Sequence, residues 1–448
     1  MKTHDILTQA AEISDRIVGF RRQIHRNPEL SFAEAATARF VMDTLTAEGI
    51  ECRPIAKTGV LARIEGSGDL RSAVVLRADI DALPVTEATG LEYVSANQGV
   101  MHACGHDMHA AVLMGAMILL NRNRGQIRGT VFGIFQPGEE LLPGGASMVL
   151  AEDPLRDYEV RAFVGEHVEP ELPTGVFGFR EGDYMASTDE LYFTVRGEGG
   201  HAAMPEKLRN PVPAAASLLL ELQQITTGAD VPSVLSIGRF ISDGATNVIP
   251  DSVEMQGTLR TFDEDWRAEV KERIREVCAS TAKRYNVDID ADIRHGFPSV
   301  YNSPEVTRGA AAAVRGLLGD EAVVPLDRRM TGEDFGYYTR RYPSVFYRFG
   351  VGGSTTGALG GVLDAATTEA SGEILGKTAG NVSDSVSDSV SGEASAGRSC
   401  GISGYTPGGQ PLFALSGRAG KLHSPVFNPD EAGLSTAAAT MAHIALSL

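Results

Sequence analysis

The chain has 448 residues, 43% of them hydrophobic, and a formal net charge of −18; that length exceeds what one core usually covers, so two domains with packed cores are expected. The acidic balance argues against nucleic acid or an anionic membrane as the main partner, because phosphate binding requires a basic face. Four cysteines without a disulfide framework, no stretch apolar enough to span a bilayer and no apolar leader after Met1 point to a cytoplasmic protein with reduced thiols.

Ile6, Ile13, Ile17 and Phe20 recur at helical spacing, and a helix in this region is expected to end before Pro28. The apolar run 73–76 reads as a buried strand leading to Asp79 and Asp81. Residues 101–109, MHACGHDMH, then pack one thiol, three imidazoles and a carboxylate into nine positions. Cysteine and histidine hold zinc and neighbouring transition metals, so Cys104 and His106 read as a ligand pair. A thiol nucleophile at Cys104 is the alternative, but no oxyanion-loop signature accompanies it. His102 and His109 read as supporting or core histidines, and His25 as structural. The next run, 110–120, is apolar almost all round and predicts a buried helix with Asp107 as its capping carboxylate.

Two more short runs end on chemistry-bearing residues: 131–135 leads to Glu139 and Glu140, and 162–165 leads to His167. Working residues in open α/β sheets collect at the carboxyl ends of strands, so these ends are expected to share a crevice. One metal-bound carboxylate beside one free carboxylate is what metal-assisted hydrolysis needs. After about residue 187 the composition changes. Strands at 191–195, 234–240 and 254–261 with helices at 212–225 and 266–284 predict a separate α+β layer. A strand at 345–349 follows, and then a Gly, Ser, Ala and Thr-rich stretch between 353 and 421 that contains VSDSVSDS at 382–389 and only Tyr405 and Phe413 as aromatics. Such composition predicts a flexible excursion, with a specific addition at the mouth of the site as the alternative.

These motifs together resemble the M20 family of metal-dependent amidohydrolases and peptidases, in the branch of aminoacylases, hippurate hydrolases and N-acyl-amino-acid amidohydrolases. The resemblance rests on RADIDALP from Arg77, MHACGHDMHAA from Met101, FQPGEE ending at Glu140, GEHV from Gly165, GGHAAMP from Gly199, NVIPDSVEMQGTLRTF from Asn247, GEDFGYY from Gly332 and LHSP from Leu422, in the family's order. It implies an α/β fold of two domains: a mixed-sheet metal-hydrolase catalytic domain, 1–186 and 298–448, and an inserted α+β lid and dimerisation domain, 187–297. The 354–420 stretch would then be an insertion in the second catalytic part, where the family has a short loop.

The resemblance also implies roles. Cys104, His106, Glu140, His167 and His423 match five ligands of a two-metal site (Mn, Zn, Co or Ni), with the Cys104 sulfur between the metals and Glu139 as general base. His423 has no signal of its own outside the family pattern. Asp81 is expected to orient a ligand imidazole. His201 resembles a histidine that reaches the neighbouring subunit's centre and stabilises an oxyanion, Asn247 a substrate-contacting amide, and Arg260 a partner for the substrate carboxylate. The implied reaction is hydrolysis of the amide of a small N-acyl amino acid by a homodimer. A carboxypeptidase or dipeptidase on short peptides, and a non-catalytic metal-binding dimer of the same fold, are the alternatives. Departures from the pattern, such as EKLRNP after Pro205 and Glu166 beside His167, bear on substrate rather than on the chemistry.

Overall fold

The computed structural model describes residues 3–353 and 419–448; the predicted excursion, with its 382–389 repeat, Tyr405 and Phe413, lies outside the described residues. An eight-stranded mixed sheet runs in the order Glu51–Ile55, Gly59–Glu65, Thr130–Gln136, Ser72–Asp79, Glu159–Glu169, Ser344–Gly350, Phe177–Phe179, Val323–Pro325. The four strands from Thr130–Gln136 to Ser344–Gly350 are parallel to one another. Both faces of this centre are covered, which is why its strands read as nearly unbroken apolar runs. Alternation still assigns each side chain to a face: Val131 and Phe135 enter the larger core, Phe132 and Ile134 the smaller, aromatic-rich one.

Helices Ser14–Arg26, Ala35–Ala47, His106–Arg122, Pro304–Leu318 and Leu434–Ser447 contribute to the larger core. His106–Arg122 is apolar all round because it is enclosed by the sheet and by other helices. Close approach needs Gly115, where a Cβ would lie 2.8 Å from Ile17 Cδ1 and 2.9 Å from Ala438 Cβ. Two local expectations are corrected. The amino-terminal helical region is split into Thr3–Glu12 and Ser14–Arg26 at Ile13. Asp107 does not cap its helix: Gly105 occupies the N-cap position without a side-chain bond, and the Asp107 carboxylate is instead held by Arg21 and His25.

A second sheet of four antiparallel strands has the order Ser233–Ser242, Ser252–Thr261, Asp189–Arg196, Asp288–His295. Helices Pro211–Gln224 and Glu264–Tyr285 pack with it around a core that includes Phe193, Leu218, Met255 and Ile274. A short ribbon pairs Gly200–His201 with Val248–Ile249. The mixed α/β class expected above is the observed one. Among the described residues no helix is long and apolar enough to cross a membrane.

Candidate metal centre

Three neighbouring parallel strands deliver their carboxyl ends to one cleft of about 650 Å³. Ser72–Asp79 leads to Asp81, Thr130–Gln136 leads through Pro137 and Gly138 to Glu139 and Glu140, and Glu159–Glu169 carries His167 near its end. Cys104 enters from the loop before helix His106–Arg122, and His106 begins that helix. The turn between them depends on Gly105, with φ +91° and a Cβ position only 2.6 Å from Val168 Cγ2.

Hydrogen bonds fix the imidazoles. A carbonyl oxygen can only accept, so His106 Nδ1, 2.9 Å from the Asp81 carbonyl, carries a proton, and in the neutral imidazole Nε2 keeps the lone pair. His167 is set the same way: Nδ1 donates to the Val168 carbonyl at 2.8 Å, and Nε2 lies 3.4 Å from Cys104 Sγ. His423 Nε2 is 3.3 Å from that sulfur and 3.4 Å from Glu140 Oε1, although its chain segment is far away in sequence. The His423 backbone donates to the Ala103 carbonyl at 2.8 Å and has φ +61°, a costly conformation for a non-glycine residue of the kind that collects at functional sites. Asp81 joins two of these groups, with one carboxylate oxygen 3.2 Å from His106 Nδ1 and the other accepting from the Glu140 backbone at 3.0 Å.

The donors fit a pair of cations. His106 Nε2 is buried with no hydrogen-bond partner, a costly state unless something else satisfies it. Ligand atoms of Cys104, His106 and His167 lie within 4.8 Å of one another, as do those of Cys104, Glu140 and His423. The two groups share only the cysteine sulfur. His109 and Asp79 also lie near His106. However, both His109 nitrogens are engaged: Nδ1 is 2.6 Å from Asp79 Oδ1, and Nε2 accepts from the Val168 backbone at 2.9 Å. His109 therefore has no lone pair to offer, in keeping with a supporting role.

Glu139 stands apart from this set. Its carboxylate makes no hydrogen bond with a described residue, it lines the cleft, and its ligand atoms come within 4.8 Å of those of His106 and Glu140. Burial raises its pKa well above the usual carboxylate range, and the charges of Glu333, Glu140 and Asp334 push the same way. Burial depresses the His167 pKa, and the Arg348 guanidinium adds to the effect. His423 is instead raised to about 10 by hydrogen bonds with Cys104 and Glu140, against the opposing cost of burial.

Residues 75–361 match the peptidase family M20/M25/M40. The chain belongs to that family. It is 36% identical over 368 residues to an N-acetyl-L-cysteine deacetylase of Bacillus subtilis, covering 78% of this chain and 86% of the relative. It is likewise 36% identical over 357 residues to the Arabidopsis thaliana protein IAA-amino acid hydrolase ILR1-like 2, covering 78% and 80%. The crystal structure of the Bacillus subtilis YXEP protein, a dinuclear metal binding peptidase of the M20 family, superposes with a TM-score of 0.72 at 30% identity over 97% of this chain and 98% of that one. Family membership brings with it dependence on divalent metal and amidohydrolase chemistry.

Of the residues picked out in the M20 pattern, Cys104, Glu139, Glu140, His167 and His423 line one cleft with Arg260, and ligand atoms of His106 lie within 4.8 Å of those of Cys104, His167, Glu139 and Glu140. Arg260 is partly buried, donates from Nε to Thr258 Oγ1 at 3.0 Å and has no ion pair among the described residues. His201 and Asn247 do not line the cleft: they are exposed neighbours on the short ribbon, where Ala202 N–H donates to the Asn247 carbonyl at 3.0 Å. Sequence reasoning missed the fully buried Arg77, which binds Asp79 at 2.7 Å, Asp334 at 2.8 Å and Glu333 at 3.1 Å. It also missed Arg348, a charge in the middle of an otherwise apolar strand. That break in the apolar run was the signal.

Proposed function

We propose that this M20 protein is a dinuclear-metal hydrolase that cleaves the amide of N-acyl amino acids, releasing a carboxylate and an amino acid. The observation that carries the reading is the convergence of four ligand-type side chains, His106, Glu140, His167 and His423, on Cys104 Sγ, with the unbonded carboxylate of Glu139 beside them. Cys104, His106, Glu140, His167 and His423 would hold the cations, which lower the pKa of water and polarise a carbonyl when bound. Their identity among Mn, Zn, Co and Ni is part of the proposal to be tested.

Glu139 would take the proton of the attacking water and pass it to the departing amine nitrogen; its burial at the cleft wall, with no hydrogen bond from a described residue, supports that role. Arg260, without a carboxylate partner, would hold the substrate carboxylate through a two-pronged hydrogen bond. His201 and Asn247 enter the reading from a second copy of the chain. Their exposure on the ribbon fits delivery across a homodimer in which residues 187–297 form the lid and 1–186 with 298–448 the catalytic domain. The free thiols of Cys52, Cys104 and Cys278 fit the cytoplasmic setting we retain for it.

The test is a panel of acetyl, benzoyl and indole-acetyl amino acids and short peptides, assayed with each metal, on the wild type and on Glu139→Gln. The variant should keep its metal by elemental analysis and lose about 10²–10⁴-fold in turnover, the range for removing a general base. Retained turnover would reassign the base, and preference for peptides would turn the reading toward a carboxypeptidase.

A further inference from the structure

Arg348 sits in strand Ser344–Gly350 at the register position of His167 and lines the same cleft, yet it is only 3% exposed. A guanidinium at that depth normally meets a carboxylate. Among the described residues this one has no ion pair. Its Nε donates to the Tyr184 hydroxyl at 3.0 Å, but its two outer nitrogens reach only the Val168 carbonyl at 3.4 Å and Met185 Sδ at 3.6 Å. The first is longer than a good N–H···O bond, and a thioether sulfur is only a weak acceptor. The acidic groups that could have served it are already taken: Glu169 is paired with Arg329, and Glu333 with Arg77. The edge of the guanidinium that best matches a carboxylate is thus left poorly bonded in a substrate-sized cleft.

We infer that Arg348 is a second anion anchor, so that the preferred substrate carries two carboxylates, one for Arg260 and one for Arg348. The inference rests on the amide hydrolysis proposed above and names the substrate class within it. Planar, bidentate recognition suits a carboxylate better than a neutral polar group, and a neutral analogue would leave the buried charge unanswered. The second carboxylate can stand on the amino-acid side chain or at the far end of the acyl group, and either gives the same contact.

Three amides separate these cases on the metal-loaded enzyme: N-acetyl-glutamine with one carboxylate, N-acetyl-glutamate with a second on the amino acid, and N-succinyl-glutamine with a second on the acyl group. One of the two dianions should exceed N-acetyl-glutamine in kcat/KM by tenfold or more, and its identity tells which end meets Arg348. Arg348→Met should shrink that ratio by at least tenfold, with Arg348→Lys retaining part of it. Equal or better cleavage of N-acetyl-glutamine overturns the second anchor while leaving the hydrolase reading intact. No cleavage of any of the three defeats both. Should the variants fail to fold, the wild-type ratio still decides, joined by a binding measurement: succinate should raise the melting temperature more than butyrate, and equal shifts overturn the inference.

Discussion

At the carboxyl ends of the parallel strands charged side chains are enclosed, and around Arg77 they are committed to one another. Arg77 alone contacts Asp79, Glu333, Asp334 and the Gln136 side chain. On the ribbon Gly200–His201 and Val248–Ile249 the polar side chains His201 and Asn247 lie open to solvent. The first region is pre-organised by its own chain, since burial strengthens each electrostatic contact and penalises any group left out. In the second a single hydrogen bond, from the Ala203 backbone to His201 Nδ1 at 3.2 Å, holds the imidazole, and its proposed role requires another copy of the chain. The difference predicts that defects in the first region are private to one subunit, whereas defects in the second can be repaired by a partner.

The largest expected effect follows from that contrast. His201→Ala should lower turnover by about 10²–10³-fold, the range for removing an oxyanion donor, and Glu139→Gln should be inactive for a separate reason. When the two inactive chains exchange subunits, one centre in each mixed dimer regains an intact base together with a donated histidine, so activity should reappear. Recovery is measured as turnover after mixing, with subunit exchange checked independently. Exchange without recovery would place His201 within its own chain or outside the reaction.

The same contrast governs what could be read before the fold was known. Cys104 and His106 were legible because a short loop carries both a thiol and an imidazole, atoms suited to a metal; Glu139, Glu140 and His167 were legible because an apolar strand announces where it stops. His423 was not, since it reaches Cys104 Sγ across 319 residues of chain and only the family pattern pointed to it. The Arg77 network escaped for a related reason. Its partners Glu333 and Asp334 come from a loop more than 250 positions away, and burial of several charges together is a property of tertiary structure. In the four-stranded layer the Asp288–His295 strand was passed over because its aspartates face outward between Ile289, Ala291 and Ile293, and aspartate is depleted in strands.

Stability sharpens the comparison. Arg77→Met removes the cation from among three buried carboxylates, and breaking a buried pair of this kind costs about 3–5 kcal/mol. Urea unfolding of the variant should reveal a loss in that range. A loss below about 1 kcal/mol, the worth of an exposed pair, would mean that the enclosed charges are not mutually dependent.

A smaller effect is expected with pH at the buried His25. Burial alone would lower its pKa, but hydrogen bonds to Asp107 at 2.8 Å and Glu87 at 3.2 Å outweigh that and raise it from 6.5 to about 9. A pKa raised by folding contributes stability that is fully present below the unfolded value and is lost as pH rises through the folded one. The wild-type melting temperature should therefore fall between pH 6.5 and about 9, and His25→Gln should flatten that part of the curve. An unchanged slope in the variant would assign the loss to other groups.

The smallest effect belongs to the four-stranded layer, where a carboxylate does the job Asp107 does not. Asp263 caps helix Glu264–Tyr285 by accepting from the Trp266 backbone at 2.8 Å, in a solvent-exposed position. Replacing such a cap by alanine costs about 1 kcal/mol, because one helix N–H loses its partner but water can replace it. Asp263→Ala should therefore lower the urea midpoint slightly and leave its steepness unchanged. Asp107→Ala, by contrast, should destabilise far more, since it removes a fully buried carboxylate that both Arg21 and His25 use and leaves them only Glu431 and Glu87. Equal losses from these two aspartates, both in or next to the first turn of a helix, would show that enclosure does not separate the two regions.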